Sequence, residues 1–408
     1  MKILQLHNRQ LLVGGGADAV VEYERGLLRS AGHDVEVLIV DNRETLERSS
    51  RARAAAKSVW NLSAARDVGR AIESFAPEVV HVHTPFPLMS PAVFRVAARR
   101  GVATVATVHS FRYSCVKAVF YRDGRVCEDC LGRAVKLPAI RHRCYHDSAL
   151  GSTALVTSLA VHRLLGTFRD DVDAWIAPSD FMRSKLVAEG LPAQKVVTKP
   201  YTIPDPGYRR DAVGDHALFA GRLEPEKGLE TLLDAWQLMR DAPPLTVAGD
   251  GSLRDLVQRA AARDDRITFK GWLDQRALAA ELAVARFLIL SSEWYEASLP
   301  VVAIQAIAAG TPIIASDVGN FSEAIRPGDN GFLFQSGSAD SLAAVVERAW
   351  GVDDRRSLAA GARQTYLDRH SEEHGAEWLE AVYRLALAER DERWAPALEL
   401  DPSTVPTR

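Results

Sequence analysis

The sequence predicts an α/β protein made of two Rossmann-like domains, each a parallel sheet covered by helices. Short β-branched runs alternate with helix-length segments along the chain, as βαβ units require. Several of these runs are apolar on both faces, the mark of parallel strands buried between two helical layers. Length sets the domain count: at about 100–200 residues per domain, 408 residues make two or three.

Taken in order, the first half holds strands at "KILQL", "DVEVLIV", "VVHVH", "ATVATVH" and "AWIAPS". A proline- and glycine-rich seam follows, "PYTIPDPGYRRDAVG" near 200–214, where neither a helix nor a central strand can continue. The second half holds "ALFAGR", "LTVAGDG", "ITFKGW", "RFLILSS", "PIIAS" and "GFLFQ". The expected organisation is an N-terminal domain at 1–205 with a cysteine-rich insert at 112–147, and a second domain at 214–372. A helix at 373–395 is expected to return to the first domain, and the tail at 396–408 to be disordered.

Hydrophobic residues make up 47% and charged residues 25%, an ordinary globular mixture, and the net charge of −3 gives no reason to expect nucleic acid. The N-terminus reads directly as a strand rather than a signal peptide. No uninterrupted apolar run reaches the ~18 residues that span a bilayer. The nearest, "ALGSTALVTSLAVHRLLG", is broken by Ser, Thr, His and Arg and reads as a buried or surface-lying helix. A cytoplasmic protein is expected. The basic stretch 43–57 (Arg43, Arg48, Arg51, Arg53 and Lys57 against Glu44 and Glu47) is either a solvated helix face or a peripheral contact with the inner face of a membrane.

In doubly wound sheets, ligands bind beyond the carboxyl ends of the strands, and that rule sorts the candidate residues. In "ALFAGRLEPEKGLETLLDAW" a strand, a polar turn and a helix starting near Gly228 follow one another, with Arg222 and Lys227 in the turn. Two cations beside a helix start suit a polyanion; the bland reading pairs them with Glu224 and Glu226. "SSEWYEASLPVVAIQAIAAGTPIIAS" repeats the design, with Glu293 and Glu296 in the loop and a helix expected from about Leu299 to Ala309. The amides near Ser298 and Leu299 are expected to face the crevice. Gln305 lies in an otherwise apolar helix, where a buried amide needs a partner.

Together, "AGRLEPEKG" and "SSEWYEASLPVVAIQAIAAGTPIIAS" resemble the donor-binding signature of retaining family-4 glycosyltransferases of the GT-B fold. The resemblance extends to "HNRQLLVGGGADAVVEYERGLLRSAGHDVEVL", "VVHVHTPFPLMSPAV" and "TVHSFRYSC", and so covers most of the chain. It implies two domains facing across a cleft and transfer of a sugar from a UDP- or GDP-sugar to a glycan, lipid-linked or small-molecule acceptor, in a setting such as cell-envelope glycan biosynthesis. It assigns Arg222 and Lys227 to the diphosphate, Gly15 and Gly16 to the phosphate or acceptor, and Glu296 to the donor sugar. Gln305 falls to the ribose, Gly249, Gly251 and Trp272 to the nucleotide pocket, and His109 to a place beside the donor sugar. No catalytic metal is implied, since the cations replace it. One departure stands out: the family has Glu eight residues after the first Glu, whereas here Gln305 follows Glu296 by nine. A nucleotide-sugar epimerase or hydrolase on the same fold is the alternative enzyme, and a non-catalytic nucleotide-sugar binder the alternative of another class.

All four cysteines fall in one insert, Cys115, Cys127, Cys130 and Cys144. The Cys-x-x-Cys pair with two flanking thiols in a reducing compartment suits a structural zinc, with His142 and His146 as spare ligands; unrelated thiols or a redox pair are the alternatives. Two decoys are set aside. "DVD" at 171–173 precedes a strand and so lies at the wrong end for an Asp-x-Asp metal site. "GGG" at 14–16 lacks the remainder of a dinucleotide fingerprint.

Overall fold

The computed structural model describes residues 1–9, 16–42, 50–207 and 214–392. Gly15, the 43–49 part of the basic stretch and the tail from 396 lie outside them. The chain divides into two compact units. Unit 1 comprises Met1–Phe120, Glu128–Thr202 and the C-terminal helix from Glu372; unit 2 comprises Tyr121–Cys127 and Ile203–Ser371.

In unit 1 the strands are β1 (Lys2–Arg9), β2 (Asp34–Asp41), β3 (Val79–Thr84) and β4 (Ala103–Thr107). A short antiparallel hairpin, β5 (Tyr121–Arg122) and β6 (Arg125–Val126), interrupts the series and belongs to unit 2; β7 (Ala174–Ala177) and β8 (Val196–Thr198) then complete the sheet. Its order is β2-β1-β3-β4-β7-β8, with every pairing parallel. β3 and β4 are buried on both faces because helices cover both, which is why their sequences are apolar runs rather than alternations. The helix Glu372–Glu392 supplies one cover: Leu379, Val382, Tyr383 and Ala386 share a core with Ile3, Leu28, Val79, Ala103 and Val105. The interrupted apolar segment forms the helix Ala149–Leu164, buried through Ser152, Leu155, Val156 and Leu159. Among the described residues no helix is long and apolar enough to cross a membrane.

Unit 2 repeats the plan with β9 (Ala217–Ala220), β10 (Leu245–Ala248), β11 (Ile267–Gly271), β12 (Phe287–Leu290), β13 (Ile313–Ser316) and β14 (Gly331–Phe334). Their order is β11-β10-β9-β12-β13-β14, again all parallel. Trp236 anchors the core at 0% exposure, and burial of its ring is compatible with its polar atom because the indole N–H donates to the Pro243 carbonyl at 2.7 Å.

Both sheets reverse their strand order once, between β1 and β3 in unit 1 and between β9 and β12 in unit 2. A crevice opens at such a point, beyond the carboxyl ends of the strands. Three features depart from expectation. The β5–β6 hairpin and β8 were not expected, and the helix expected from Leu299 starts at Val301, with Pro300 as its N-cap at φ −56° and ψ 145°. That backbone is extended, so the proline stands just before the first turn rather than inside it.

Candidate functional site

The switch point of unit 2 gathers the expected donor residues. β9 delivers Arg222 and Lys227; β12 delivers Ser291, Ser292 and Glu296. Lys227 Nζ donates to Glu296 Oε1, which also accepts from Ser292 Oγ at 2.8 Å and from Trp294 Nε1 at 3.0 Å. Three donors on one oxygen hold the carboxylate rigidly, and none of these bonds reaches Oε2. Lys227 Nζ lies 5.0 Å from the centre of the Trp294 ring, a cation–π contact. Arg222 is half exposed and pairs with Glu226 at 3.1 Å, so the bland reading of this cation holds in part. Glu224 instead accepts from the amide and hydroxyl of Ser252.

Glu293 does different work. It accepts from Thr231 Oγ1 on the helix Leu229–Leu238 and, at 3.4 Å, from the Tyr121 hydroxyl of the β5–β6 hairpin. Burial and the adjacent Glu293 charge push the Tyr121 hydroxyl up to about 12, so it stays a donor. Glu293 thus ties the β12 loop to the helix Leu229–Leu238 and to the hairpin.

Gly249 and Gly251 serve the same loop from behind. Their φ values are +143° and +157°, and a Cβ at Gly249 would stand 1.8 Å from the Gly221 carbonyl oxygen, one at Gly251 2.5 Å from that of Leu223. Only glycine lets the β10 loop lie this close to the backbone that carries Arg222. Trp272 is 73% exposed at the end of the edge strand β11. Leu299 is buried and Ser298 half-buried, immediately before the Pro300 cap. Gln305 is half-buried, not buried as its neighbours in sequence led us to expect. It shares with Val301 and Val302 the one side of the helix that the core of Ala303, Ile304, Ala306 and Ile307 leaves uncovered, so solvent or a ligand can satisfy its amide.

The switch point of unit 1 gathers histidines. His7 and His83 lie near the carboxyl ends of β1 and β3, and His109 follows β4; Gly16 is the exposed first residue of the helix Gly16–Ser30. His109 Nδ1 lies 2.6 Å from the Tyr201 hydroxyl and Nε2 lies 3.2 Å from His83 Nδ1. Burial, followed by the charges of His7, His81 and Lys199, holds His109 well below the usual histidine range, so the imidazole is neutral at physiological pH. Of this cluster only His109 is legible in the sequence. Glu24 on a helix and Lys199 after a short edge strand look like solvated charges until the fold buries both.

The four cysteines are thiols, with Cys130 buried and Cys115, Cys127 and Cys144 partly exposed. Burial pushes the Cys130 thiol up to about 11, and Cys115 adds to the shift. Among the described residues, no three of the cysteines bring their sulfurs within 4.8 Å of one another; the group of three that meets that spacing is Glu24, His81 and His83. The "DVD" segment is structural: Asp171 pairs with Arg95 at 2.8 Å, and Asp173 accepts from the Thr104 amide at 2.8 Å, at the amino end of β7.

Known proteins resemble both units of the chain. The family described as Glycosyl transferases group 1 matches residues 214–351, and Glycosyl transferase 4-like domain matches residues 14–202. A D-inositol 3-phosphate glycosyltransferase of Jonesia denitrificans is 34% identical over 186 residues, which is 42% of this chain and 43% of that protein. The match thus spans less than half the length of this curated relative. A glycosyltransferase of Rickettsia africae superposes with a TM-score of 0.66 at 16% identity, over 95% of this chain and 98% of that one. Anabaena Alr3699/HepE, solved with UDP, superposes with a TM-score of 0.62 at 17% identity, over 94% and 100%.

Proposed function

This chain belongs to the GT-B glycosyltransferases of the family-4 type, and we propose from that premise that it moves a sugar from a nucleotide diphosphate sugar to a hydroxyl acceptor with retention at the anomeric carbon. One observation carries the reading: Lys227, in the loop after β9, is bonded to Glu296, in the loop after β12, at the carboxyl edge of the unit 2 switch point, with Arg222 in the same β9 loop.

An ammonium has three N–H donors. One of Lys227's is spent on Glu296, and the remaining two serve the diphosphate, where Arg222 adds a planar fork in place of a metal. Charge that grows on the leaving phosphate is stabilised by these cations and by the start of the helix Val301–Ala309. Glu296 Oε2, the oxygen its anchors leave open, takes a hydroxyl of the donor sugar. Gln305 takes the ribose, and Trp272 stacks on the base. In unit 1, Gly16 serves the acceptor side and His109 the reacting sugar. The leaving phosphate itself assists removal of the acceptor proton, since no carboxylate pair is needed for retention by that route.

The donor is a UDP- or GDP-sugar, and the fold neighbour solved with UDP puts uridine first in a screen. Acceptors to test are glycans, lipid-linked glycans and small polyol phosphates, the last motivated by the Jonesia relative. Two further expectations belong to the same reading. A cytoplasmic enzyme would reach lipid-linked acceptors from the inner membrane face, through the exposed Leu150 and Leu164 with Arg51 and Arg53. One structural zinc on Cys115, Cys127, Cys130 and Cys144 requires their sulfurs to draw closer than they stand, and elemental analysis of protein purified without chelator decides it. The central test is consumption of donor with and without acceptor, after a thermal-shift screen of nucleotide sugars. Turnover that requires acceptor supports the transferase. Equal consumption without it makes the protein a hydrolase or epimerase, and a thermal shift with no turnover makes it a binder.

A further inference from the structure

The histidines of unit 1 form a chain that ends on a buried carboxylate. Glu24 is 1% exposed and Lys199 2%. The Lys199 ammonium donates to Glu24 Oε1 at 2.9 Å. Glu24 Oε2 and His83 Nε2 are both buried without a hydrogen-bond partner among the described residues, and they face each other at 3.8 Å. His83 Nδ1 meets His109 Nε2 at 3.2 Å, and His109 Nδ1 meets the Tyr201 hydroxyl at 2.6 Å.

One proton is shared between His83 and His109, and the carboxylate decides who holds it. Suppose His83 Nδ1 donates. Its Nε2 is then bare, a lone pair aimed at an anion inside a low-dielectric core, which is repulsive. Suppose instead that His109 Nε2 donates. His83 then carries its proton on Nε2, pointing at Glu24, and His109 Nδ1 is bare to accept from Tyr201. Every contact in the second arrangement is attractive. Burial also holds both rings neutral, so each has one proton to place.

We propose that Glu24, seated by Lys199, is a positioning residue that sets the tautomer of His83 and through it that of His109, leaving His109 Nδ1 unprotonated against the Tyr201 hydroxyl. The inference rests on the proposed transferase reading for what His109 does, and goes beyond it in saying what holds His109. With both nitrogens engaged, His109 acts by the position of its neutral ring rather than by proton transfer. The other neighbours of the chain do not compete. His81 spends Nδ1 on Tyr383 at 2.9 Å and Nε2 on Thr107 at 2.7 Å, and His7 Nε2 is held by Asp18 at 2.6 Å. A metal on Glu24, His81 and His83 is the rival account of their spacing. The Lys199 ammonium already occupies the cation's place, and both His81 nitrogens are taken.

The test is nitrogen-15 NMR of histidine-labelled full-length protein, assigned with His83→Gln and His109→Gln. The expected spectrum has His109 and His83 each bare at Nδ1 and protonated at Nε2. The double variant Glu24→Leu/Lys199→Met removes both buried charges at once, so neither is left unpaired. In it the His109 proton should redistribute between the two nitrogens. The turnover number should fall roughly 100-fold, the scale of a misplaced reacting group, while donor KM stays unchanged. A parent protein with His109 protonated at Nδ1 overturns the proposal, as does an unchanged His109 tautomer in the folded double variant. So does metal in protein purified without chelator that a Cys127→Ser/Cys130→Ser variant keeps and His83→Gln loses, since that metal sits on Glu24, His81 and His83 and not on the cysteines. The parent spectrum decides even if the double variant does not fold. Loss of all transferase activity in the parent would sink the proposed function and leave the tautomer result standing.

Discussion

At the scale of single residues, the two cations of the β9 loop separate phosphate binding from nucleoside binding. Arg222→Ala or Lys227→Ala removes a charge-assisted contact, worth ~1.5–3 kcal/mol, and should weaken nucleotide diphosphate far more than nucleoside. Calorimetric titration of both ligands checks this, and equal losses would mean the cations do not touch phosphate. Lys227→Ala also strips Glu296 of its ammonium, so it should lower turnover more than Arg222→Ala does. Gln305 tests the nine-residue step. If it holds the ribose, Gln305→Leu costs ~1–3 kcal/mol of donor binding and raises KM more than it lowers kcat, because ribose is bound alike in ground and transition states. An unchanged donor KM would take Gln305 off the ribose. These residues were legible because loop position and charge coincide at strand ends. Trp294, Ser292, Glu24 and Lys199 were not: Ser292 and Trp294 lie close to Glu296 in sequence, but which of its oxygens they anchor depends on how the loop folds, and the 2% exposure of Lys199 depends on Glu24, 175 residues away.

At the scale of elements, the donor loop is held in place by backbone packing. Gly249→Ala puts a methyl where the Gly221 carbonyl stands, so the β9 loop must shift. We expect a loss of ~1–3 kcal/mol in unfolding free energy, as overpacking of a tight site gives, together with weaker nucleotide diphosphate binding. Urea melts with and without ligand measure the two effects, and an alanine variant as stable as the parent would show that the loop gives way freely. Most strands of unit 2 were readable because they are apolar runs closed by polar loop residues, while the edge strand β11 alternates instead. β8 was not, since Val196–Thr198 is an edge strand of three residues whose burial is only partial. The β5–β6 hairpin was not either: its two-residue strands are stabilised by Tyr121 on Glu293, a contact with no local signature. The start of the helix at Val301 shows the limit of proline as a marker, because the same residue serves as cap or as first turn.

At the scale of the molecule, the titrating groups predict a pH dependence concentrated in unit 1. His81 and His162 are buried there, and burial lowers each from its ordinary 6.5 to about 4. The unfolded chain therefore takes up protons near pH 6.5 that the folded chain refuses until about pH 4. Stability rises with pH wherever the unfolded state binds more protons. The contribution of the two neutral histidines is thus fully present above pH 6.5 and is lost as pH falls towards 4. Asp173 works in the opposite sense: burial raises it from 3.8 to about 6, so its contribution is present below 3.8 and is lost as pH rises through about 6. Two histidines, each displaced at least as far as the one aspartate, outweigh it, and His83 and His109, also lowered, add to their side. The expected outcome is a unit 1 that loses unfolding free energy between pH 6.5 and 4.5. Hydrogen exchange read separately on the two units at pH 7, 6, 5 and 4.5 measures it. His162 offers the control, because its Nε2 donates to the Val59 carbonyl at 3.0 Å and Nδ1 accepts from Thr167 at 3.1 Å, bonds that only the neutral ring can make together. His162→Gln can supply one donor and one acceptor without titrating, and should flatten the acid limb while lowering stability at pH 7. An acid limb just as steep in that variant would remove His162 from the account and leave the loss to the histidines of the switch point.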